Sequence, residues 1–327
     1  MSRRSPFPEF LNRLRRRSAQ WLDQARVGVR RMLGERNLDV PWDGSPRIAL
    51  LCVNFHTTDY LKLMLLSLAR QAHLDLLQQV VIVDNGSAAG DEEFLNALQA
   101  PGSRITVVHN RKHRSHAGGM RRGLAALDRL EEPRPEHERS NLLLFCDPDV
   151  LFLRPDTLAA VAACFDDPAV SHAGEMRTHL RPMPEAQASF LAVRRDWAAR
   201  PSVSPWVNHG SPAWWMQRDL QRQGGKGARF PSNAGGYILH RGRSAVAATK
   251  TAEPSHAYAT APNASPHFMG VTDGAQVWAK QAAEYADLLA PGSACAAARH
   301  VTDTLRETRT RYRTGQSSGR RSPPAGA

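Results

Sequence analysis

Apolar residues follow two different spacings along this chain. Four short runs are almost continuously apolar: Arg47-Ile-Ala-Leu-Leu-Cys-Val-Asn-Phe55, Gln79-Val-Val-Ile-Val-Asp84, Ile105-Thr-Val-Val-His109 and Leu142-Leu-Leu-Phe-Cys146. Such runs form parallel strands covered on both faces, since a strand with one wet face alternates apolar and polar side chains. Between them the apolar positions recur every three or four residues, over Thr58 to Ala72 (Tyr60, Leu61, Met64, Leu65, Leu68), Asp91 to Leu98 and Gly118 to Leu130. Those stretches are predicted helices, and alternating strand and helix gives right-handed crossovers and a doubly wound, mostly parallel sheet with helices on both faces. Further helices are expected at Leu158 to Phe165 and Pro212 to Gln223, whereas the chain from about Glu175 to Pro212 shows no regular period.

The ends read differently. From Phe7 to Leu33 a helical apolar stripe (Phe10, Leu14, Trp21, Leu22, Val29, Leu33) is interleaved with arginine; residues 1–36 hold ten Arg against Glu9, Asp23 and Glu35. A basic amphipathic helix of this kind suits an anionic membrane surface, and equally a site on its own domain or on a second subunit. Breakers at Pro41-Trp-Asp-Gly-Ser-Pro46 end this segment. The expected organisation is an N-terminal helix and linker over 1–46, a catalytic domain over 47–250, an extension over 251–314 and a disordered tail over 315–327, which is rich in Gly, Ser, Pro and Arg.

Charge and cysteine content narrow the class. The net charge is +12, but much of the excess lies at the two ends, leaving the middle closer to neutral. A folded domain that binds nucleic acid carries its basic face on itself, so a nucleic-acid partner is not expected. Cys52, Cys146, Cys164 and Cys295 have no CxxC spacing, which fits a reducing, cytoplasmic setting without a zinc site. No apolar run reaches the length of a membrane span.

In an open α/β sheet, ligands bind where the strands end. The strand ends here carry Asn54, Asp84-Asn-Gly-Ser87, Asn110-Arg111 and Asp147-Pro-Asp149. Two carboxylates separated by one residue after a buried strand can hold Mg²⁺ or Mn²⁺ against a diphosphate, or can simply end the strand in a turn. Asp84 needs hydrogen bonds where it sits, from a ribose hydroxyl, from a nucleobase N–H, or from the turn it would cap with Asn85 and Gly86. The stretch Arg111-Lys-His-Arg114-Ser-His-Ala-Gly118-Gly119 opens a helix with cations and small residues, an arrangement for a phosphate or else a solvated basic loop.

Taken in order, Val53-Asn-Phe55, Val-Val-Ile-Val-Asp-Asn-Gly-Ser87, Asn110 with His-Ala-Gly-Gly-Met-Arg-Arg-Gly-Leu124, and Leu-Leu-Leu-Phe-Cys-Asp-Pro-Asp-Val150 resemble the family 2 glycosyltransferases, most nearly their rhamnosyltransferase-like bacterial branch. The resemblance covers roughly residues 47–160. It implies a GT-A (nucleotide-diphospho-sugar transferase) fold and a UDP-, dTDP- or GDP-linked sugar donor. It also implies a glycan or lipid-linked acceptor at the cytoplasmic face of the membrane. On that likeness Val53 and Asp84 fall at the nucleoside, Asp147 and Asp149 at the ribose and metal; the strand end and the basic helix start add Asn54, Arg114, Gly118 and Gly119 as further nucleotide-sugar contacts. Gly236-Tyr-Ile-Leu-His240-Arg-Gly-Arg-Ser looks like the family's late strand-and-His element, making His240 a second metal candidate and Arg241 and Arg243 diphosphate candidates. The family's Glu-Asp pair, however, aligns with Met216 and Gln217. An inverting transferase needs a proton acceptor, and the nearest carboxylate is Asp219; Glu175 and His209 are the alternatives.

Overall fold

The computed structural model describes residues 37–87, 91–110, 115–178, 183–207, 212–245 and 268–318, together with Ser18, Trp21, Leu22 and Ala25. Those four are helical and exposed, Trp21 by 68% and Leu22 by 50%; the rest of the basic N-terminal helix expected from the sequence lies outside the described residues.

The first half of the fold alternates strand and helix. β1 (Ile48–Asn54), α1 (Thr58–Leu68), β2 (Leu77–Asp84), α2 (Glu92–Ala97), β3 (Ile105–His109), α3 (His116–Glu131) and β4 (Leu142–Cys146) follow one another. β3, β2, β1 and β4 lie side by side, all parallel. The doubly apolar runs explain this: Ile48, Leu50 and Cys52 point into one core layer with α1 and α2, while Ala49, Leu51 and Val53 point into the other with α3. α3 approaches the sheet closely because it carries glycine at two inward positions. A Cβ on Gly119 would lie 2.9 Å from both Val53 methyls, and one on Gly123 would lie 3.1 Å from Val83.

The second half is mixed. β5 (Val150–Phe152) and α4 (Thr157–Ala163) precede a hairpin of β6 (Val170–Arg177) and β7 (Glu185–Arg194), which adds to the sheet beyond β4 with β7 antiparallel. The sequence shows no regular period from about Glu175 to Pro212; the structure has the end of β6, β7 and α5 (Arg195–Ala198) there, and α6 (Trp214–Arg222) falls on the helix expected at Pro212 to Gln223. β8 (Lys226–Arg229) pairs parallel to β6 and closes the order β3-β2-β1-β4-β7-β6-β8. β9 (Ile238–His240) pairs with β5 in a separate two-stranded sheet.

The C-terminal helices α7 (Gly274–Glu284), α8 (Ala286–Leu289) and α9 (Ala294–Ser318) do not form a core of their own. Ala297, Ala298, Val301 and Leu305 are buried in the same apolar layer as α1 and α2. Tyr285 donates its hydroxyl to the Leu66 carbonyl at 3.3 Å, and Arg70 pairs with Glu284 at 2.5 Å. α9 continues to Ser318, past the boundary at Gly315 where the sequence loses periodicity; residues 319–327 lie outside the described part. Among the described residues no helix is long and apolar enough to cross a membrane.

Candidate functional site

β4 ends at Cys146 and the chain turns at once through Asp147-Pro148-Asp149 into β5. The Asp147 N–H is held by the Ser189 carbonyl of β7 at 2.9 Å. Antiparallel pairing then sets His240 opposite Val150, beside the turn. Side-chain atoms of Asp147, Asp149 and His240 converge within 4.8 Å of one another. His240 Nε2 lies 3.2 Å from Asp149 Oδ1 and 3.6 Å from Asp147 Oδ2. From the opposite wall, His116 at the start of α3 places Nε2 3.9 Å from Asp147 Oδ1.

The electrostatics follow from this crowding. Burial pushes the Asp149 carboxyl up, but His240 and the bonds from Ser244 outweigh it and hold Asp149 below its ordinary value. Burial raises Asp147 and the charge of Asp149 adds to the rise, against the pull of His116 and His240. Burial alone would lower His240; the two carboxylates reverse this and keep its proton, with Arg177 opposing them. An imidazole whose proton is held by two converging carboxylates is also the place where a divalent cation substitutes for that proton. Two hard oxygen donors and one nitrogen fit Mg²⁺ or Mn²⁺.

Several neighbours hold this constellation. The Arg241 N–H donates to the Asp149 carbonyl at 2.9 Å and the Ser244 N–H to Asp149 Oδ2 at 3.3 Å, around a turn in which Arg243 takes the left-handed conformation at φ 59°. Asn233 Oδ1 accepts the His240 N–H at 2.9 Å. Glu175 in turn accepts from the Asn233 N–H at 2.6 Å and from the Ser232 hydroxyl at 3.0 Å. Its carboxylate therefore fixes the loop that delivers His240, from a bulge in β6 between Gly174 and Met176.

The other strand ends meet on one side of this turn. Asn54 is buried, its amide within reach of Thr58 Oγ1 (3.0 Å), Ser87 Oγ (3.1 Å) and Asp84 Oδ1 (3.3 Å). Asp84 Oδ2 is 3.7 Å from His109 Nδ1, and Asn110 joins through its N–H to the Asp84 carbonyl and through its amide to Asn85. Asn54 thus spends its polar atoms on the frame, while Asp84 Oδ2 has no donor within hydrogen-bond distance among the described residues. Val53 is buried against Gly119. Ser115 caps α3 by accepting the Gly118 N–H at 3.1 Å. The helix therefore starts two residues before Gly118, and Gly119 serves close packing as well as any anion. Arg114 lies outside the described residues, as does His209.

A family model described as glycosyltransferase-like family 2 matches residues 46–235. The chain belongs to this family. The mostly parallel, two-sided sheet is the α/β arrangement expected of a GT-A glycosyltransferase. Among solved structures, a mannosyltransferase from Pyrobaculum calidifontis in complex with GDP-mannose and Mn²⁺ is 19% identical, covering 94% of this chain and 93% of its own, with a TM-score of 0.43. TarS 1-349 from S. aureus in complex with UDP-GlcNAc is 14% identical over 82% of this chain and 92% of its own, with a TM-score of 0.43. A search of curated proteins found no match.

Within this glycosyltransferase, the residues at the expected base position do something else. Gln217 is buried and pairs with the Ala186 backbone twice, accepting its N–H at 2.7 Å and donating to its carbonyl at 2.9 Å, as a strand neighbour would. Asp219 is buried, and both its oxygens are engaged. Oδ2 accepts from the Ser204 N–H (3.0 Å) and hydroxyl (2.5 Å), and Oδ1 faces the Arg218 guanidinium at 2.6 Å. To take a proton it must give up one of these bonds. What it pins is the segment carrying Trp206, whose ring packs 5.6 Å from His116 and 4.9 Å from Phe145. Sequence reasoning missed Trp206 because no periodic pattern surrounds it. It missed Ser244, which bonds Asp149 through both its side chain and its N–H, because nothing in the local sequence shows which carboxylate that serine meets. Arg241 stacks over Tyr60 at 4.9 Å. Burial pushes the Cys52 and Cys146 thiols well up, so neither is a nucleophile.

Proposed function

We propose that the protein transfers a sugar from a UDP-, dTDP- or GDP-linked donor to a glycan or lipid-linked acceptor by direct, inverting displacement. The observation that carries this is the convergence of Asp147, Asp149 and His240 at the carboxyl end of the sheet, next to the Asn54–Asp84–Asn110 frame. Asp84, with Val53 on the neighbouring strand, would recognise the nucleoside; Asp147, Asp149 and His240 would hold Mg²⁺ or Mn²⁺, the imidazole nitrogen favouring Mn²⁺. The bound cation would offset charge on the departing diphosphate. The acceptor oxygen attacks the anomeric carbon, the bond to the diphosphate oxygen breaks, and the acceptor proton passes to Asp219 after it sheds a bond to Ser204 or Arg218. Gly118 and Gly119, in the first turn of α3, and Arg114 before them in sequence would meet the donor phosphates. The rhamnosyltransferase-like likeness, the catalytic unit at 47–250 and a role in bacterial envelope polysaccharide belong to this reading.

A second reading has a specific observation behind it: Met216 and Gln217 replace the acidic pair and Asp219 is fully bonded, as in a nucleotide-sugar-binding protein without turnover. The two separate on release of free nucleoside diphosphate from UDP-, dTDP- and GDP-sugars with Mn²⁺. The enzyme releases nucleotide and Asp219→Asn slows it by roughly 100-fold or more. Tight binding without release in the native chain sinks the catalytic reading.

The exposed Trp21 and Leu22, within the arginine-rich segment, support attachment of residues 1–36 to the anionic inner face of the membrane. Deleting them is expected to release the protein from anionic vesicles with nucleotide affinity unchanged. Equal sedimentation of both forms with the vesicles refutes the attachment.

A further inference from the structure

A second concavity, a groove of about 560 Å³, opens at the sheet edge between α6 and the ends of β6 and β8, where Met176, Thr178, Gln221, Gly227, Lys226 and Arg229 line it. None of its lining residues is acidic. Lys226 shares its charge with Asp167 at 3.1 Å on the outer side. Arg229 is exposed and has no carboxylate partner among the described residues, and the same holds for the pairing of Arg177, next to Met176. A guanidinium left unpaired beside a concave surface offers a planar fork of donors for a carboxylate or phosphate.

The floor adds an independent observation. His172 is wholly buried in β6, with Nδ1 3.0 Å from Ser171 Oγ and Nε2 without a hydrogen-bond partner. A Cβ on Gly227 would lie 2.8 Å from that Nε2 and 2.7 Å from Met176 Cε. Only a glycine backbone and one flexible methyl thus separate an unsatisfied nitrogen from the groove. Buried polar atoms without partners are rare and costly, and they mark places where a ligand or water completes the bonding.

One end of the groove is linked to the metal triad through the hydrogen bonds of β6 and the loop after β8. Phe230, next to Arg229, donates its N–H to the Gly174 carbonyl at 2.9 Å; the following Glu175 holds Asn233, and Asn233 holds His240. The groove's Met176–Thr178 end lies at the carboxyl end of β6, while Gly225 and Lys226 reach back to the amino end of β8. We infer that this groove is the acceptor subsite and that it takes an anionic acceptor, a phosphate- or carboxylate-bearing sugar, with Arg229 on the charge and a hydroxyl turned toward Asp147, Asp149 and His240. The assignment of the groove to an acceptor rests on the glycosyl-transfer reading; its preference for anions does not.

The test uses the full chain saturated with Mn²⁺ and whichever of UDP, dTDP or GDP gives the largest thermal shift, so that the donor phosphate site is filled. Glucose 1-phosphate, glucuronate and glucose are then titrated and followed by ligand-observed NMR. The expected result is that both anions bind at least about tenfold tighter than glucose, and that Arg229→Gln removes the preference while nucleotide affinity stays within about twofold. Equal binding of glucose, or a preference that survives Arg229→Gln, overturns the proposal. If no nucleoside diphosphate shifts the protein, the glycosyl-transfer reading fails by itself. The same titration without nucleotide then decides the groove, upholding it if anion binding depends on Arg229 and overturning it otherwise.

Discussion

β1 to β4 bury almost nothing but aliphatic side chains and place their chemistry after the last apolar residue, whereas β6 and β7 bury Ser171, His172, Glu185, Gln187 and Ser189 within the strands themselves. In the first half the core and the site are separable, since Asn54, Asp84, Asp147 and Asp149 sit where the strands stop. In the second half one residue serves both purposes. Glu175 braces a bulge and holds the loop of His240, and His172 supports β6 while lying directly behind Gly227 of the groove wall. A parallel half built on continuous hydrophobicity can change its strand-end residues without disturbing its packing; the mixed half cannot.

Three measurements press on this contrast. The largest effect is expected at a strand end: Asp149→Asn removes one of two hard anionic donors and should abolish Mn²⁺-dependent nucleotide binding, a loss of at least about 100-fold by titration calorimetry. The unfolding midpoint should barely move. Retained Mn²⁺ dependence would remove Asp149 from the metal site.

Inside the mixed half, the sign is set by protonation. Burial pushes His172 down to about 4 from its ordinary value near 6.5. Between those values the unfolded chain binds a proton that the folded chain refuses. The neutral imidazole therefore costs the fold nothing above about pH 6.5, and stability declines as pH falls toward 4, by at most about 3 kcal/mol. Denaturant unfolding of His172→Gln across that window should show a flatter pH dependence than the native chain, with nucleotide affinity at neutral pH unaffected. Parallel slopes for the two proteins would mean that His172 is more accessible to water than its burial indicates.

The smallest effect probes the one place where the first half mixes packing with binding. Gly119→Ala forces a methyl to within 2.9 Å of Val53 and is expected to cost roughly 1–3 kcal/mol in urea unfolding. Val53→Ala in the same chain should recover part of that loss, since it opens the contested space. No recovery would place the strain elsewhere along α3.

The same contrast accounts for what the sequence disclosed. β1 to β4 and the Asp147-Pro-Asp149 turn were legible because burial on two faces demands unbroken apolar runs, and a carboxylate directly after one stands out. β6 gave no such signal: the polar Ser171 and His172 lie buried inside it, Ser171 Oγ bonded to His172 Nδ1, so its hydrophobic run is broken without loss of burial. β8, as Lys-Gly-Ala-Arg on the sheet edge, has exposed side chains and nothing apolar to read. His240 could be found only by likeness, because a three-residue strand pairing with β5 across a long stretch of chain leaves no local pattern. α9 stayed hidden because its buried face is mostly alanine and threonine, which pack tightly without marking a hydrophobic stripe.

That last helix also sets the order in which the molecule can assemble. Its Ala297, Val301 and Leu305 cover α1 and α2, made some two hundred residues earlier. While the chain is being synthesised, β1 to β4 and their helices therefore emerge with one apolar flank open and stay so until residues 297–305 have left the ribosome. Contacts this distant in sequence close slowly, and a flank open for that long invites association with other chains. The protein's yield in a cell then depends on how quickly its final helix docks, a step remote from the chemistry of the site it completes.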